Sequence, residues 1–243
     1  MLAPAERHLE PLPAGHPCLD CNVRARAVCG VLDCKDLAQF KSLGWTLVLA
    51  AGEPIFHEGD KAGRVFTLTR GSVKLYKLLA DGRRQVTGFM FPGDFLGVSV
   101  HDEYAYSAEA LEESQLCWFP RKRFDDWVES RPAMERELYL MAAHELAAAQ
   151  QQLVLLGRKM AAERFASFLL DLANKAGLQE GRFVDLPMSR SDIADFLGLT
   201  KETVSRVVSQ FKRDRLIRLE TLNRVEILDR ESLCEVADGS CEF

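Results

Sequence analysis

Residues 188–219 read MSRSDIADFLGLTKETVSRVVSQFKRDRLIRL, two short helical patterns separated by Gly198. The first pattern follows Ser189, a residue type that caps helix N-termini, and Asp192 stands three residues later, at the spacing of a capping box. The second pattern follows Thr200, another residue type that caps helices. Two short helices joined by a turn that contains glycine are typical of a helix-turn-helix unit.

The second helical pattern, which ends at about Arg213, has two different faces. At 100° per residue, one face is apolar and consists of Val204, Val207, Val208 and Phe211. The opposite face consists of Glu202, Ser205, Arg206, Ser209 and Arg213. Arg can form a bidentate bond with guanine, Glu accepts from the cytosine amino group, and Ser can do either. This strip indicates a recognition helix for the major groove, the alternative being an ordinary helical hairpin with a solvated face.

The segment GLTKETVSR, residues 198–206, resembles the DNA-recognition motif of the CRP/FNR family of bacterial transcription regulators, and Glu202, Ser205 and Arg206 are similar to the FNR branch. The resemblance implies a homodimer on double-stranded DNA, with TTGAT-like half-sites related by a two-fold axis. It implies that Glu202, Ser205 and Arg206 read bases. The further candidate DNA contacts are Thr200, Lys201, Thr203, Ser209, Lys212 and Arg213.

The composition is that of an ordinary soluble protein, with 47% hydrophobic and 28% charged residues in a chain of 243 residues. This length holds one large or two modest domains. The net charge of -5 does not indicate a nucleic-acid binder, but residues 188–224 contain eight Arg or Lys and five Asp or Glu, so this segment is locally about +3. DNA binding is therefore expected to depend on a local patch.

We expect neither a membrane span nor a secretory signal in this sequence. No apolar run is long enough to span a bilayer, and the N-terminus, MLAPAERHLEPLPAGHP, has no apolar core of a secretory signal. We therefore expect a cytoplasmic protein that makes no membrane contact. In that reducing compartment the seven cysteines are expected to be ligands or reactive thiols, not disulfides.

Cysteines are concentrated near the N-terminus, where Cys18, Cys21 and Cys29 have the spacing C-x2-C-x7-C and Cys34 follows. A C-x-x-C pair directs two thiolates toward one site, and thiolates favour zinc or iron–sulfur clusters. The spacing alone leaves the metal open, and scattered buried thiols are the alternative. Cys34 could replace Cys18 or Cys29 as a ligand.

Oxygen-sensing FNR proteins carry an N-terminal cysteine cluster and one distant cysteine, which together hold a [4Fe-4S] cluster. The distant match is Cys117, in the string ALEESQLCWFP at residues 110–120, although the C-x2-C-x7-C spacing differs from that of the enteric members. The resemblance implies the ligands Cys18, Cys21, Cys29 and Cys117 and an oxygen-responsive regulator of anaerobic or microaerobic metabolism. A zinc-bound or thiol-redox regulator with the same DNA-binding domain is the alternative.

Short segments rich in β-forming residues follow between about Thr46 and Phe119, and Asp81-Gly82 is expected at a hairpin tip. The pattern indicates a small sandwich or barrel, which in the family is the β-roll of the cyclic-nucleotide-binding fold. Tyr106 stands where cyclic-nucleotide receptors of this fold have Arg, and Asp94 stands where they have Glu. Because a cyclic phosphate would lose its bidentate partner, we expect no cAMP binding.

A long helical pattern begins after Pro132, and its apolar residues recur at spacings of four and three. They are Leu138, Ala142, Leu146, Ala149, Leu153, Leu156 and Met160. This row is typical of a coiled-coil seam and resembles the dimerisation helix of the family, the alternative being a helix that packs only on its own β-roll. A further amphipathic helix is expected from 161 to 178, and a two-stranded wing from 216 to 228.

The predicted fold class is α+β, with an N-terminal β-roll, a long dimerisation helix and a C-terminal winged helix-turn-helix. The expected divisions are an arm with the cysteine cluster at 1–35, the β-roll sensor domain at 36–130, the dimerisation helix at 131–160 and the DNA-binding domain at 161–243. The five His residues are scattered and form no nucleophile–base pattern, so no enzyme is predicted. RNA polymerase is an expected partner, with residues 81–84 as a candidate exposed surface.

Overall fold

The computed structural model describes residues 18, 21–175, 183–221 and 223–239. The chain divides into two compact units, one formed by residues 1–75 and 89–145 and the other by residues 76–88 and 146–243. Residues 1–17 of the expected arm at 1–35 lie outside the described residues. Within the described ranges, no helix combines the length and the hydropathy needed to cross a membrane.

The first unit begins with two 3-10 turns, Arg24–Arg26 and Val28–Val31, followed by helix α1, Cys34–Ser42. The Asp33 carboxylate caps α1 by accepting a hydrogen bond from the Asp36 backbone N–H at 2.7 Å. The sequence pattern predicted no helix at α1. The buried face of α1 consists of only Cys34, Leu37 and Phe40, so its helical periodicity is weak.

Strands β1 to β8 form two four-stranded sheets, in the orders β1-β8-β3-β6 and β2-β7-β4-β5. The strands are β1 (Trp45–Leu49), β2 (Pro54–Phe56), β3 (Arg64–Arg70), β4 (Val73–Leu78), β5 (Arg84–Met90), β6 (Phe95–Leu96), β7 (Ser107–Ala110) and β8 (Ser114–Pro120). Phe66, Leu68 and Leu116 belong to their shared apolar core. The predicted tip between β4 and β5 is confirmed, because Gly82 has a φ of 84° and the Leu79 N–H donates to the Arg83 carbonyl at 2.8 Å.

Helix α2, Arg121–Glu129, follows β8, and helix α3, Pro132–Arg158, is the predicted long helix. Two members of the predicted seam, Leu146 and Leu153, are exposed at 62% and 72%, and Tyr139, seven residues before Leu146, is exposed at 72%. Two other members are half-buried, Leu138 against a hydrophobic cluster of the first unit and Leu156 within the second unit. A seam predicted from sequence counts every apolar residue, whereas some of these residues pack within their own chain.

The second unit contains α4 (Ala161–Lys175), β9 (Phe183–Asp185), α5 (Arg190–Leu197), α6 (Lys201–Arg213), β10 (Ile217–Thr221), β11 (Arg224–Ile227) and α7 (Arg230–Ala237). The predicted wing is confirmed as β10 and β11, and β9 adds a third strand to its sheet. Helix α7 was missed because the sequence from 229 onward is acidic and poor in apolar residues. Its few apolar side chains, Leu233, Val236 and Ala237, share one buried face. The predicted α+β class with a β-roll, long helix and winged helix-turn-helix is confirmed.

Candidate DNA interface and thiol cluster

The turn between α5 and α6 is built from local capping rules. The Ser189 hydroxyl accepts from the Asp192 N–H, and the Asp192 carboxylate accepts from the Ser189 N–H, both at 3.1 Å, which completes the predicted capping box. Gly198 ends α5 with a φ of 62°, a left-handed conformation that favours glycine. A Cβ at Gly198 would lie 3.2 Å from the Leu156 side chain, so both backbone and space call for glycine.

Helix α6 has the two faces that its sequence predicts. Val204, Val207, Val208 and Phe211 are buried, and Phe211 packs on Phe165 of α4 at a ring-centroid distance of 5.7 Å. The candidate base-reading residues Glu202, Ser205 and Arg206 are exposed. The further candidate DNA contacts are also exposed, except that Thr203 is half-buried. The exposed ones are Thr200, Lys201, Ser209, Lys212 and Arg213. The structure therefore brings the whole predicted DNA-contacting set onto one helix and its N-cap.

Hydrogen bonds order several side chains of this strip. The Ser205 hydroxyl donates to the Lys201 carbonyl and the Ser209 hydroxyl to the Ser205 carbonyl, both at 2.9 Å. Arg206 donates through Nη2 to Thr203 Oγ1 at 3.2 Å. The serine oxygens keep lone pairs that can accept from a base amino group, and a guanidinium has five N–H donors, so Arg206 can still donate twice to guanine.

Arg164, which sequence reasoning missed, holds the ends of two helices together in the second unit. Its guanidinium donates to the carbonyls of Leu156 at 2.9 Å, Lys159 at 2.8 Å and Leu197 at 2.8 Å. These carbonyls lie at the C-terminal ends of α3 and α5, where a cation also compensates the helix dipole. The sequence shows only an arginine within an amphipathic helix, a signal too common to single it out.

The expected exposed surface at 81–84 is only partly confirmed. Asp81, Gly82 and Arg83 are exposed, and Arg83 donates to the Asp81 carboxylate at 2.7 Å. The Arg84 side chain is only 26% exposed, because it forms ion pairs with Asp192 and Asp195 of α5. The sequence places Arg83 and Arg84 in one turn with nothing to distinguish them, whereas in the structure Arg83 is exposed and Arg84 is paired with α5.

The candidate thiols come from two distant parts of the first unit. Cys117 lies in β8, opposite Thr46 of β1 and Thr67 of β3, and Lys41 Nζ donates to its Sγ at 3.3 Å. Side chains of Cys18, Cys29 and Cys117 pack against a hydrophobic cluster that includes Leu37, Phe40, Phe119 and Met134. Cys34, the first residue of α1, is itself a buried member of that cluster.

Burial and the neighbouring thiols affect the protonation of Cys29. Burial, and after it repulsion from the thiolates of Cys18, Cys21 and Cys117, raises the pKa of Cys29 to about 12. Burial also raises the pKa of Cys18, with the positive charge of Lys41 opposing that shift. Among the residues that the structure describes, no three or more His, Cys, Asp or Glu side chains are grouped as ligands of one metal ion. Cys18, Cys21 and Cys117 nevertheless lie close enough to Cys29 to raise its pKa.

Tyr106, the residue that stands where cyclic-nucleotide receptors of this fold have Arg, is half-buried in the β-roll. The Tyr106 hydroxyl accepts from the Gly97 N–H at 3.4 Å, and the Tyr106 ring lies 5.7 Å from that of Phe56. Burial raises the pKa of Tyr106, so its side chain is a neutral phenol. The Asp94 carboxylate accepts from the Phe91 N–H at 2.8 Å within its own turn.

Comparison with known proteins identifies both halves of the chain. Residues 46–131 match the family model described as a cyclic nucleotide-binding domain, and residues 163–236 match the one described as a Crp-like helix-turn-helix domain. The nitrogen fixation regulation protein FixK of Bradyrhizobium diazoefficiens is 42% identical over 209 residues, 85% of this chain and 88% of that protein. The transcriptional activator protein FnrL of Cereibacter sphaeroides is 38% identical over 228 residues, 91% of this chain and 92% of that protein.

A solved structure shows the same architecture. FixK2 from Bradyrhizobium japonicum superposes with a TM-score of 0.75 at 34% identity, covering 79% of this chain and 96% of that one. The helix-turn-helix geometry, the β-roll and these full-length relatives agree with one another and with a regulator that is not an enzyme. The chain belongs to the CRP/FNR family of DNA-binding transcription regulators.

Proposed function

We propose that this chain is an oxygen-responsive transcription regulator that binds DNA as a dimer, with Cys18, Cys21, Cys29 and Cys117 as ligands of a [4Fe-4S] cluster. The observation that carries the proposal is the gathering of thiols from distant parts of the chain around one hydrophobic cluster. Relatives named as a nitrogen fixation regulator and as a transcriptional activator support the activation of genes for anaerobic or microaerobic metabolism. When bound, the cluster would supply an oxygen-sensitive link between the N-terminal segment and β8.

The donor set fits such a cluster, because four cysteine thiolates are the usual ligands of four-iron clusters. Each thiol must lose its proton to become a ligand, and burial makes this step costly for Cys29 while that thiol has no metal partner. Lys41, which contacts Cys117, provides a positive charge beside the thiolates. The protein therefore supplies a partly buried group of thiols, in which a bound metal would take the place of the thiol protons.

The thiol region is joined to the beginning of α3 within the first unit. Met134, Leu138 and Met141 of α3 pack in or against the same hydrophobic cluster as Cys18, Cys29 and Cys117. Arg131, the residue before α3, donates to the Asp36 carboxylate of α1 at 2.9 Å. A change at the thiols therefore reaches the start of α3 through packed side chains and one ion pair, and we assign signal transmission to this route.

Dimerisation is assigned to the exposed apolar row on α3. Tyr139, Leu146 and Leu153 recur every seven residues, and Met160, which follows the helix, continues the spacing at 72% exposure. Repeats of seven on one helix place knobs on a single seam. Exposing a row of large apolar side chains to water is energetically unfavourable for a monomer, and a second copy of α3 would cover this row.

DNA recognition is assigned to α6. Glu202, Ser205 and Arg206 face outward from the first two turns of the helix and are placed to read base edges. Lys201, Lys212 and Arg213 are exposed cations for phosphates. A dimer would present two such helices about 34 Å apart, which suits the two-fold TTGAT-like site. The exposed tip at 81–83 remains our candidate surface for RNA polymerase.

The experiment that tests this function measures iron, acid-labile sulfide and zinc in protein purified without oxygen. We expect about four irons and four sulfides per chain and an absorption spectrum that bleaches in air. Sedimentation and DNA titration on the same samples should show a dimer that loses affinity for its site as the spectrum bleaches. The variant Cys234→Ala is the control, because this cysteine lies in α7 of the other unit and should leave the iron content unchanged.

The alternatives give different results in the same experiment. Stoichiometric zinc with DNA affinity that is insensitive to air would identify a zinc-bound regulator. A metal-free protein whose DNA affinity changes on thiol oxidation and recovers on reduction would identify a thiol-redox regulator. Either result would reject the iron–sulfur cluster while leaving the DNA-binding assignment to α6 intact.

A further inference from the structure

Helix α5 carries two neighbouring carboxylates. Asp192 is only 5% exposed and also completes the capping box with Ser189, and Asp195 lies one turn further along and is half-buried. Residues three apart lie on the same side of a helix, so the two negative charges are neighbours. A carboxylate that is largely removed from water is costly unless it is paired with a cation.

Arg84 supplies that cation from the segment of residues 76–88, which packs within the second unit. Its Nη2 lies 2.7 Å from Asp192 Oδ1 and 2.8 Å from Asp195 Oδ2, and its Nε donates to Asp195 at 2.9 Å. The guanidinium also lies over the Tyr76 ring, 5.7 Å from its centroid. The neighbouring Gln85 adds a hydrogen bond from Nε2 to the Asp195 carbonyl at 2.6 Å.

We propose that Arg84 is a positioning residue for DNA binding that acts through α5. In a helix-turn-helix the first helix crosses the DNA backbone while the second enters the major groove. Arg84 fixes α5 by joining two of its side chains, and α5 in turn sets the direction of α6 through the Gly198 turn. It also compensates two carboxylates that would otherwise repel the phosphates near this helix.

Arg83 offers a matched control one position earlier in the same turn. Its side chain is 77% exposed, and its ion pair is with Asp81, two residues away in the same tip. Both arginines carry the same charge and lie in the same segment. A general effect of positive charge at the tip would therefore appear in variants of either residue, whereas an effect of the contact with α5 would appear only at Arg84.

The experiment compares Arg84→Gln, Arg84→Lys and Arg83→Gln on a DNA duplex selected by the wild-type protein from a random pool. Glutamine keeps a polar side chain and removes the charge, whereas lysine keeps the charge without the fork of the guanidinium. For Arg84→Gln we expect DNA affinity to fall about tenfold, equally on matched duplexes and on duplexes with one altered base pair. Arg84→Lys should keep most of the affinity, and Arg83→Gln should stay within about twofold of the wild type.

A second substitution separates positioning from general stability. Adding Asp195→Asn to Arg84→Gln removes one uncompensated carboxylate, so DNA affinity should recover in part. Affinities are compared per folded molecule, with the folded fraction taken from circular dichroism at the same temperature. The proposal is overturned if Arg84→Gln lowers only the melting temperature while its folded fraction binds DNA normally. An equal loss in Arg83→Gln, or no recovery on adding Asp195→Asn, would overturn it as well.

Discussion

The DNA reader and the thiol region differ in how their functional residues are distributed along the chain. The candidate DNA contacts lie between Thr200 and Arg213, on one helix and its N-cap. The candidate ligands lie between Cys18 and Cys29 and, far along the chain, at Cys117 in β8. The reader is thus formed by local structure, whereas the thiol region depends on strands and helices that meet only in the folded unit.

This difference explains what each site requires for its geometry. On α6 the helical period decides which side chains are exposed, and the Thr200 cap and the preceding Gly198 turn decide where the helix begins. Cys117 is placed by the pairing of β8 with β1 and β3, and the other thiols by the chain leading to α1. Damage to the reader should therefore be local and graded, and damage to the thiol region should remove the whole site.

The largest effect is expected for Cys117→Ala, because one missing ligand breaks the connection between the N-terminal segment and β8. We expect nearly complete loss of iron and sulfide in protein prepared without oxygen, together with loss of the air-sensitive absorption. The control is Cys34→Ala, since Cys34 is buried in the hydrophobic cluster at the start of α1. Retention of iron in Cys117→Ala would remove Cys117 from the ligand set. Loss of iron in Cys34→Ala would instead make Cys34 a ligand in place of Cys18 or Cys29.

A graded effect is expected for Arg206→Ala. Loss of a bidentate contact with a base should cost about 1–3 kcal/mol of binding free energy and relax specificity at one base position. Lys212→Ala is the matched comparison, because an exposed phosphate contact should weaken binding about equally on all sequences and lower the salt dependence. Titrations of both variants on a set of duplexes with single base-pair changes measure their affinity and their base specificity. Unchanged discrimination in Arg206→Ala would remove its base-reading role.

The same contrast explains how much could be predicted from the sequence. Capping box, glycine turn and apolar stripe predicted the reader residue by residue, because each rule acts within one or two helical turns. Cys117 was found through a family resemblance, since nothing local distinguishes it from a structural thiol at the end of a strand. Arg164 and the contact of Arg84 with α5 were missed, because both join residues that are distant along the chain.

The turn of the reader provides a smaller, purely structural test. Gly198→Ala should destabilise the protein by about 1–2 kcal/mol, because alanine disfavours the left-handed conformation and its Cβ would crowd Leu156. Gly157→Ala should have the opposite sign. That glycine lies in the last turn of α3, where an added Cβ would meet no atom of another described segment within 4 Å, and alanine favours helices by roughly 0.5–1 kcal/mol. Thermal unfolding of both variants compares them. A Gly198→Ala variant as stable as the wild type would show that the turn tolerates a side chain.

The smallest effect is expected for added cAMP, because we expect that the β-roll does not bind a cyclic nucleotide. A cyclic phosphate requires a cation, but Tyr106 offers a neutral phenol that packs near Phe56 and accepts the Gly97 N–H. Millimolar cAMP should therefore leave DNA affinity unchanged, both with and without oxygen. A saturable increase in affinity would contradict this expectation. It would mean that the β-roll and the thiol region are both sensors, so that the regulator combines two signals at α3.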